Sequence, residues 1–201
     1  MKKIAIIGTH GVGKTTLCKA VAEYARAQGK KVESIGEVVR DCPYPIHAEQ
    51  TYKATEWIVI NQILREREAE GKKPDLIVCD RSVYDPIVYL ENAVSIFNQT
   101  VHEQNLSCNL RSFCKNYIND YNYICYITPF GKTDLKLDDG FRSIDIAFQE
   151  EIENIFHKTF AMRIYVKRLP SLISVIDRTT LSCEIFKSPA FLAKEIYDEI
   201  F

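Results

Sequence analysis

Eight consecutive residues near the start of the chain, Gly8-Thr9-His10-Gly11-Val12-Gly13-Lys14-Thr15, satisfy G-x-x-x-x-G-K-[ST] at every fixed position. The glycines let the backbone curl so that successive N–H groups converge on phosphate oxygens. The helix that starts at such a loop adds the positive end of its dipole. An ammonium at Lys14 can reach the β- and γ-phosphates of a nucleoside triphosphate, and the Thr15 hydroxyl can ligate Mg²⁺. Gly8, His10, Gly11, Val12, Gly13, Lys14, Thr15 and Thr16 form the candidate ATP-binding set. The motif implies that a triphosphate binds, and leaves open what becomes of its terminal phosphoryl group.

Further along, Asp80-Arg81-Ser82 closes an apolar run. A carboxylate at Asp80 faces the loop lysine across the sheet edge, where it can hold Mg²⁺ with Thr15 or orient an acceptor. The next residue separates reaction classes. Hydrolytic motors of the AAA type commonly carry a Glu there to activate water. Arg81 is a cation, better suited to phosphate or an anionic transition state. Glu37 and Arg40 follow a short second strand. A hydroxyl acceptor benefits from a base such as Glu37 within reach. A phosphate acceptor needs no base and favours Arg40 and Arg81. The chain offers both kinds of group. Trp57, the single tryptophan, reads either as a stacking platform or as a core anchor beside Ile60 and Leu64.

These side chains need a scaffold, and the pattern around them alternates strand and helix. Residues 3–8, 31–35, 75–80, 121–128 and 163–166 read as five strands, the third being continuously apolar as in a sheet covered on both faces. Helices follow the loop, span 50–70 with a solvated face at 65–68, fill 84–118 in two pieces, and close the chain from Pro189. Another carries Phe148, Ile152, Ile155, Phe156 and Phe160 on one face. The polar segment 131–145, with Gly131 and Gly140, reads as a lid, and 170–188 is ambiguous. The alternation implies a single domain over 1–201, an open parallel five-stranded α/β sheet with helices on both faces. Ligands of such sheets bind at the carboxyl ends of the strands.

Composition narrows the class further. With 201 residues, 46% apolar and 26% charged, the chain can bury a full core. A net charge of -1 argues against duplex nucleic acid as partner. No apolar run approaches the roughly 20 residues that cross a bilayer. Seven cysteines, none in a Cys-x-x-Cys pair, read as reduced thiols of a cytoplasmic protein. The oligomeric state does not follow from these features.

The loop, the Asp80-Arg81 pair and the segment Leu137-Asp138-Asp139-Gly140-Phe141-Arg142-Ser143 together resemble the P-loop nucleoside and nucleotide kinases, and the small AAA-type ATPase and kinase domains around them. The Asp-Gly-Phe-Arg core is similar to the lid of the ribosylnicotinamide kinase domain of bifunctional NAD-regulating proteins. The likeness runs over about residues 1–165. It implies a nucleotide-kinase-like P-loop fold that binds ATP and Mg²⁺ and phosphorylates a nucleoside, ribosylnicotinamide or nucleotide acceptor. It implies Glu37 as the group that takes the acceptor's proton, and Arg142 as an internal arginine finger. The candidate catalytic residues are thus Lys14, Glu37, Asp80, Arg81 and Arg142, with Thr15 and Asp80 toward the metal. A regulatory or partner-coupled ATPase on the same scaffold is the alternative. A signalling GTPase is disfavoured: Gly131-Lys132-Thr133-Asp134 lacks the first residue of [NT]-K-x-D, and residues 80–83 lack the Gly of D-x-x-G.

Overall fold

A computed structural model of the chain describes residues 1–96, 100–128, 146–161, 173–176 and 188–201. The expected lid at 131–145, Arg142 within it, and the strand expected at 163–166 lie outside the described residues. Strands β1 (Lys2–Ile7), β2 (Val32–Ile35), β3 (Leu76–Asp80) and β4 (Tyr123–Ile127) stand where the apolar runs predict them. A further strand, β5 (Ile173–Ile176), falls in the segment whose pattern was ambiguous, and it takes the place beside β4. All pairings are parallel, in the order β2-β3-β1-β4-β5.

Alternation along the strands divides the core into two layers, as a two-sided sheet demands. Ile4, Ile6, Leu76, Val78, Tyr123, Cys125 and Ile127 face helices α1 (Lys14–Ala27) and α6 (Pro189–Ile200). There they meet Leu17 and Val21 of α1 and Leu192, Ile196 and Ile200 of α6. Ala5, Ile7, Ile77, Cys79, Ile124 and Tyr126 face the other way. That side holds α2 (Tyr52–Gly71), α3 (Asp85–Ile96), α4 (Val101–Tyr117) and α5 (Ile146–Phe156), the last running into a π turn at His157–Ala161. Thr100 and Glu103 cap α4 reciprocally, and Ser188 caps α6 with Pro189 at its first position.

Helix α2 departs from its sequence reading. Residues 65–68 do not form a wholly solvated face, because Glu66 is fully buried. Ile60 and Leu64 are exposed, and Trp57 packs against the core from a half-buried position without them. The inward face carries Ala54, Ile58 and Val59 together with Thr55, Gln62 and Glu66. These polar groups are matched from the strand side. Lys3, buried in β1, places its ammonium 3.0 Å from both Glu66 and Glu70. Tyr121 donates to Glu66 at 2.6 Å, Tyr117 at 3.3 Å and Gln62 at 2.9 Å. Burial works against the Lys3 charge, yet Glu66 and Glu70 outweigh it and lift its pKa above the ordinary lysine value.

A buried ion pair becomes a liability when one partner is removed. Lys3→Met leaves the buried Glu66 carboxyl without its counter-charge. Urea unfolding should register a loss of roughly 3–5 kcal/mol, partly recovered in Lys3→Met with Glu66→Gln. A loss under about 1 kcal/mol would show that the pair does not hold α2 to the sheet.

Candidate active site

The turn from β1 into α1 is built from glycines in conformations that other residues resist. Gly8, Gly11 and Gly13 have φ of 140°, 80° and 87°. At Gly8 space is also decisive, since a Cβ would overlap the Ile127 carbonyl oxygen of β4. Val12 is buried in the α1 side of the core and anchors the loop. Thr16 is exposed in the first turn of α1. The His10 ring is turned away into the interior, stacked on Phe148 of α5 at 5.7 Å. Only its backbone is left for phosphate.

Lys14 is buried and donates to the Thr9 carbonyl oxygen at 2.6 Å. Burial, then the neighbouring Arg81, pull its pKa down to about 8, against the attraction of Asp80, Glu37 and Asp85. Beside it the Thr15 hydroxyl donates to Asp80 Oδ2 at 2.5 Å. Asp80 Oδ1 is buried and has no hydrogen-bond partner among the described residues. A hydroxyl and a carboxylate with an uncommitted oxygen are hard oxygen donors, the set that suits Mg²⁺.

Arg81 follows at φ 92°, a backbone conformation that costs a non-glycine residue roughly 1–3 kcal/mol and survives only where its surroundings over-determine it. They do so here. Its N–H donates to the Ile6 carbonyl at 3.1 Å, and its guanidinium reaches Glu37 Oε1 from two nitrogens, at 2.8 and 2.6 Å. It lies 3.6 Å from Asp85 and over the ring of Tyr89. Arg40 donates to the other oxygen of Glu37 at 2.8 Å. Burial alone would raise the Glu37 pKa, but Arg81, Lys14 and Arg40 together bring it to about 2. Burial does raise the Asp85 pKa, against Arg81 and two bonds from Ser82.

Next to this ion pair lies a small pocket, partly open to solvent, lined by Val39, His47, Gln50, Ile58, Arg81, Asp85, Pro86 and Tyr89. His47, like Arg81, has positive φ, at 62°. Gln50 is locked by bonds to Thr55 and to the Pro86 carbonyl, both 2.8 Å. The structure thus brings Lys14, Thr15, Glu37, Asp80 and Arg81 together at the carboxyl edge of the sheet. His47, Gln50, Asp85 and Tyr89 join them without having been marked by any motif. Only Asp85 had a visible signal, its position one helical turn after Arg81.

Such a loop on a parallel sheet, facing an Asp-Arg pair, defines a P-loop protein of nucleotide-kinase-like fold. More narrowly, residues 3–160 match the family model described as AAA domain, and the chain belongs to that family. Its fold is similar to that of deoxyadenosine kinase from M. mycoides with bound dATP. That structure is 21% identical with a TM-score of 0.67, and the match covers 98% of this chain and 100% of that one. The same kinase with its products dCMP and a flexible dCDP bound is 18% identical with a TM-score of 0.61, at the same coverage. No curated protein matches the chain. No helix among the described residues is long and apolar enough to cross a membrane.

On α5, Glu153 accepts a hydrogen bond from the Tyr126 hydroxyl. Burial lifts its pKa to about 7, although Tyr126 and Lys14 favour the charged form. Between about pH 4.5 and 7 the folded protein therefore holds a proton that the unfolded chain has released. The stability contributed by this group falls as pH rises through that window. Glu153→Gln removes the dependence, so its melting temperature should gain on the wild type between about pH 5 and 8. An unchanging difference in thermal melts would contradict the assignment.

Proposed function

We propose that the chain is an ATP-dependent small-molecule kinase that transfers the γ-phosphoryl group to a hydroxyl of a nucleoside-like acceptor. One observation carries the reading: the Glu37–Arg81 ion pair, 2.6 Å, lies within electrostatic reach of Lys14, and its arginine also lines the cavity at 39–89. A hydrolase needs only water at this place, whereas a cavity beside a carboxylate and an arginine suits a bound acceptor. The likeness to a kinase solved with dATP, and with dCMP and dCDP, supports a nucleoside or nucleotide acceptor. Ribosylnicotinamide falls in the same chemical class.

The charges favour the nucleoside side. Arg40 and Arg81 are both engaged by Glu37, and Asp85 adds a carboxyl beside Arg81. A phosphate acceptor needs uncommitted cations, while a hydroxyl acceptor fits a balanced cluster. Lys14 and the loop amides hold the β- and γ-phosphates. Thr15 and Asp80 would hold Mg²⁺, which would supply charge neutralisation for the triphosphate. The acceptor oxygen bonds to the γ-phosphorus as the bond to the β-bridging oxygen breaks and ADP leaves. Glu37, with its pKa near 2, is a weak base before the reaction. It takes the proton late, when the new O–P bond has made the hydroxyl acidic, as a loose transition state requires. Arg81 steadies charge on the transferring group. Arg142 is assigned the closing arginine on the resemblance alone.

Product analysis with γ-labelled ATP and a panel of nucleosides and mononucleotides tests the proposal. Label should pass to an organic acceptor and vanish with Lys14→Ala. Label in inorganic phosphate alone would favour the partner-coupled ATPase. Because its basicity is depressed, Glu37→Gln should lower kcat by about 10²-fold, the lower end for general-base catalysis, if the acceptor is a hydroxyl. A harmless Glu37→Gln with a damaging Arg81→Ala, acting through KM, would point to a phosphate acceptor.

Lys14 sets a further expectation. Phosphate needs the ammonium form, and the free protein loses that proton as pH rises through about 8. ATP affinity should be level below that point and fall about tenfold per pH unit above it, up to the bound-state pKa. Titration calorimetry at several pH values checks this, and a flat profile to about pH 10 would show that Lys14 does not meet the phosphates.

A further inference from the structure

Helix α5 reaches the phosphate-binding loop from the far end of the chain. The side-chain amide of Gln149 donates to the His10 carbonyl oxygen at 2.8 Å, across 139 positions of sequence, and Gln149 is only 8% exposed. One residue earlier, Phe148 stacks on the His10 ring at 5.7 Å with an interplanar angle of 26°. The Tyr89 hydroxyl stands 3.5 Å from His10 Nδ1. His10 is thus gripped by its ring and by its carbonyl.

The carbonyl contact bears on the next residue. No peptide bond among the described residues is cis. In a planar trans peptide the C=O and the N–H that share a plane point in opposite directions. A carbonyl of His10 held toward α5 turns the N–H of Gly11 away from α5, to the other side of the loop. The loop has little stiffness of its own, with positive φ at Gly8, Gly11 and Gly13, and glycine moves readily between backbone wells. One internal brace is the Lys14 bond to the Thr9 carbonyl. That brace is given up when Lys14 turns to a phosphate, and the bond from Gln149 then remains.

We propose that Gln149 is a positioning residue of the phosphate-binding loop: its amide fixes the peptide plane between His10 and Gly11 so that the Gly11 N–H faces the bound triphosphate. The inference rests on the reading of residues 8–15 as an ATP site and adds a residue outside the motif. It differs from a packing role for Gln149, because the expected loss is confined to phosphate-bearing ligands.

The test compares wild type with Gln149→Leu, which keeps bulk and removes the donor, and with Gln149→Met, an unbranched alternative should the leucine variant fail to fold. Calorimetry measures ATP, inorganic tripolyphosphate and adenosine. Melts without ligand report stability, and glycine-selective ¹⁵N spectra follow the Gly11 amide. Affinity for ATP and tripolyphosphate should fall by about tenfold or more, the scale of one hydrogen bond to a charged group. Affinity for adenosine should not change, and the Gly11 amide resonance should move. In turnover, KM for ATP should rise while KM for the acceptor stays. A wild type that binds both phosphate ligands, beside variants that bind them equally well, overturns the inference alone. A wild type that binds neither overturns the ATP site and the inference with it. Equal loss for adenosine and tripolyphosphate also overturns it, since that is the mark of a merely structural role.

Discussion

The parallel register of β1 against β3, which sets Ile6 opposite Asp80, governs nearly every distance in the site. It brings the carboxyl ends of two neighbouring strands level. The loop leaving β1 then delivers Thr15 within 2.5 Å of the carboxylate that ends β3. The same register lets the Arg81 N–H bond to the Ile6 carbonyl, which continues the ladder one residue past the strand and turns the guanidinium toward Glu37. A slip of one residue would send Asp80 to the opposite face, because side chains alternate along a strand. The register is held by burial on both faces and, below the sheet, by the Lys3–Glu66 pair.

Arg81 is the electrical centre of this arrangement. It lowers the pKa of Lys14, helps to hold Glu37 ionised, and tempers the effect of burial on Asp85. Its strained backbone and its contacts with Ile6, Glu37, Asp85 and Tyr89 belong together. Strain of this kind persists where the surroundings define one conformation, so the guanidinium is held in one place.

The loop at 8–15 was legible in the sequence because phosphate binding demands set residue types at set spacing. The parallel sheet was legible because β1, β3 and β4 are short and largely apolar. The outer strand was not. The run at 173–176 is only four residues long, and what marks it as a strand is its pairing with Ile124–Ile127, remote in sequence. The inward face of α2 was hidden for a different reason. Glu66 and Gln62 look solvated by type, and their burial depends on Lys3, Tyr117 and Tyr121, which are remote in sequence. His47, Gln50 and Gln149 share that obscurity, since each owes its place to convergence in space rather than to a local pattern.

The cover that α6 lays over α1 has a temporal side. Leu192, Ala193, Ile196 and Ile200 close the apolar face of the helix that begins with Lys14, and Tyr197 meets Tyr24 ring to ring. In synthesis α6 follows α1 only after more than 160 intervening residues. Until residues 189–200 emerge, the stripe of α1 that they cover in the folded chain is bare. The helix that starts at the glycine-rich loop is therefore covered on that side only by a segment made long after it.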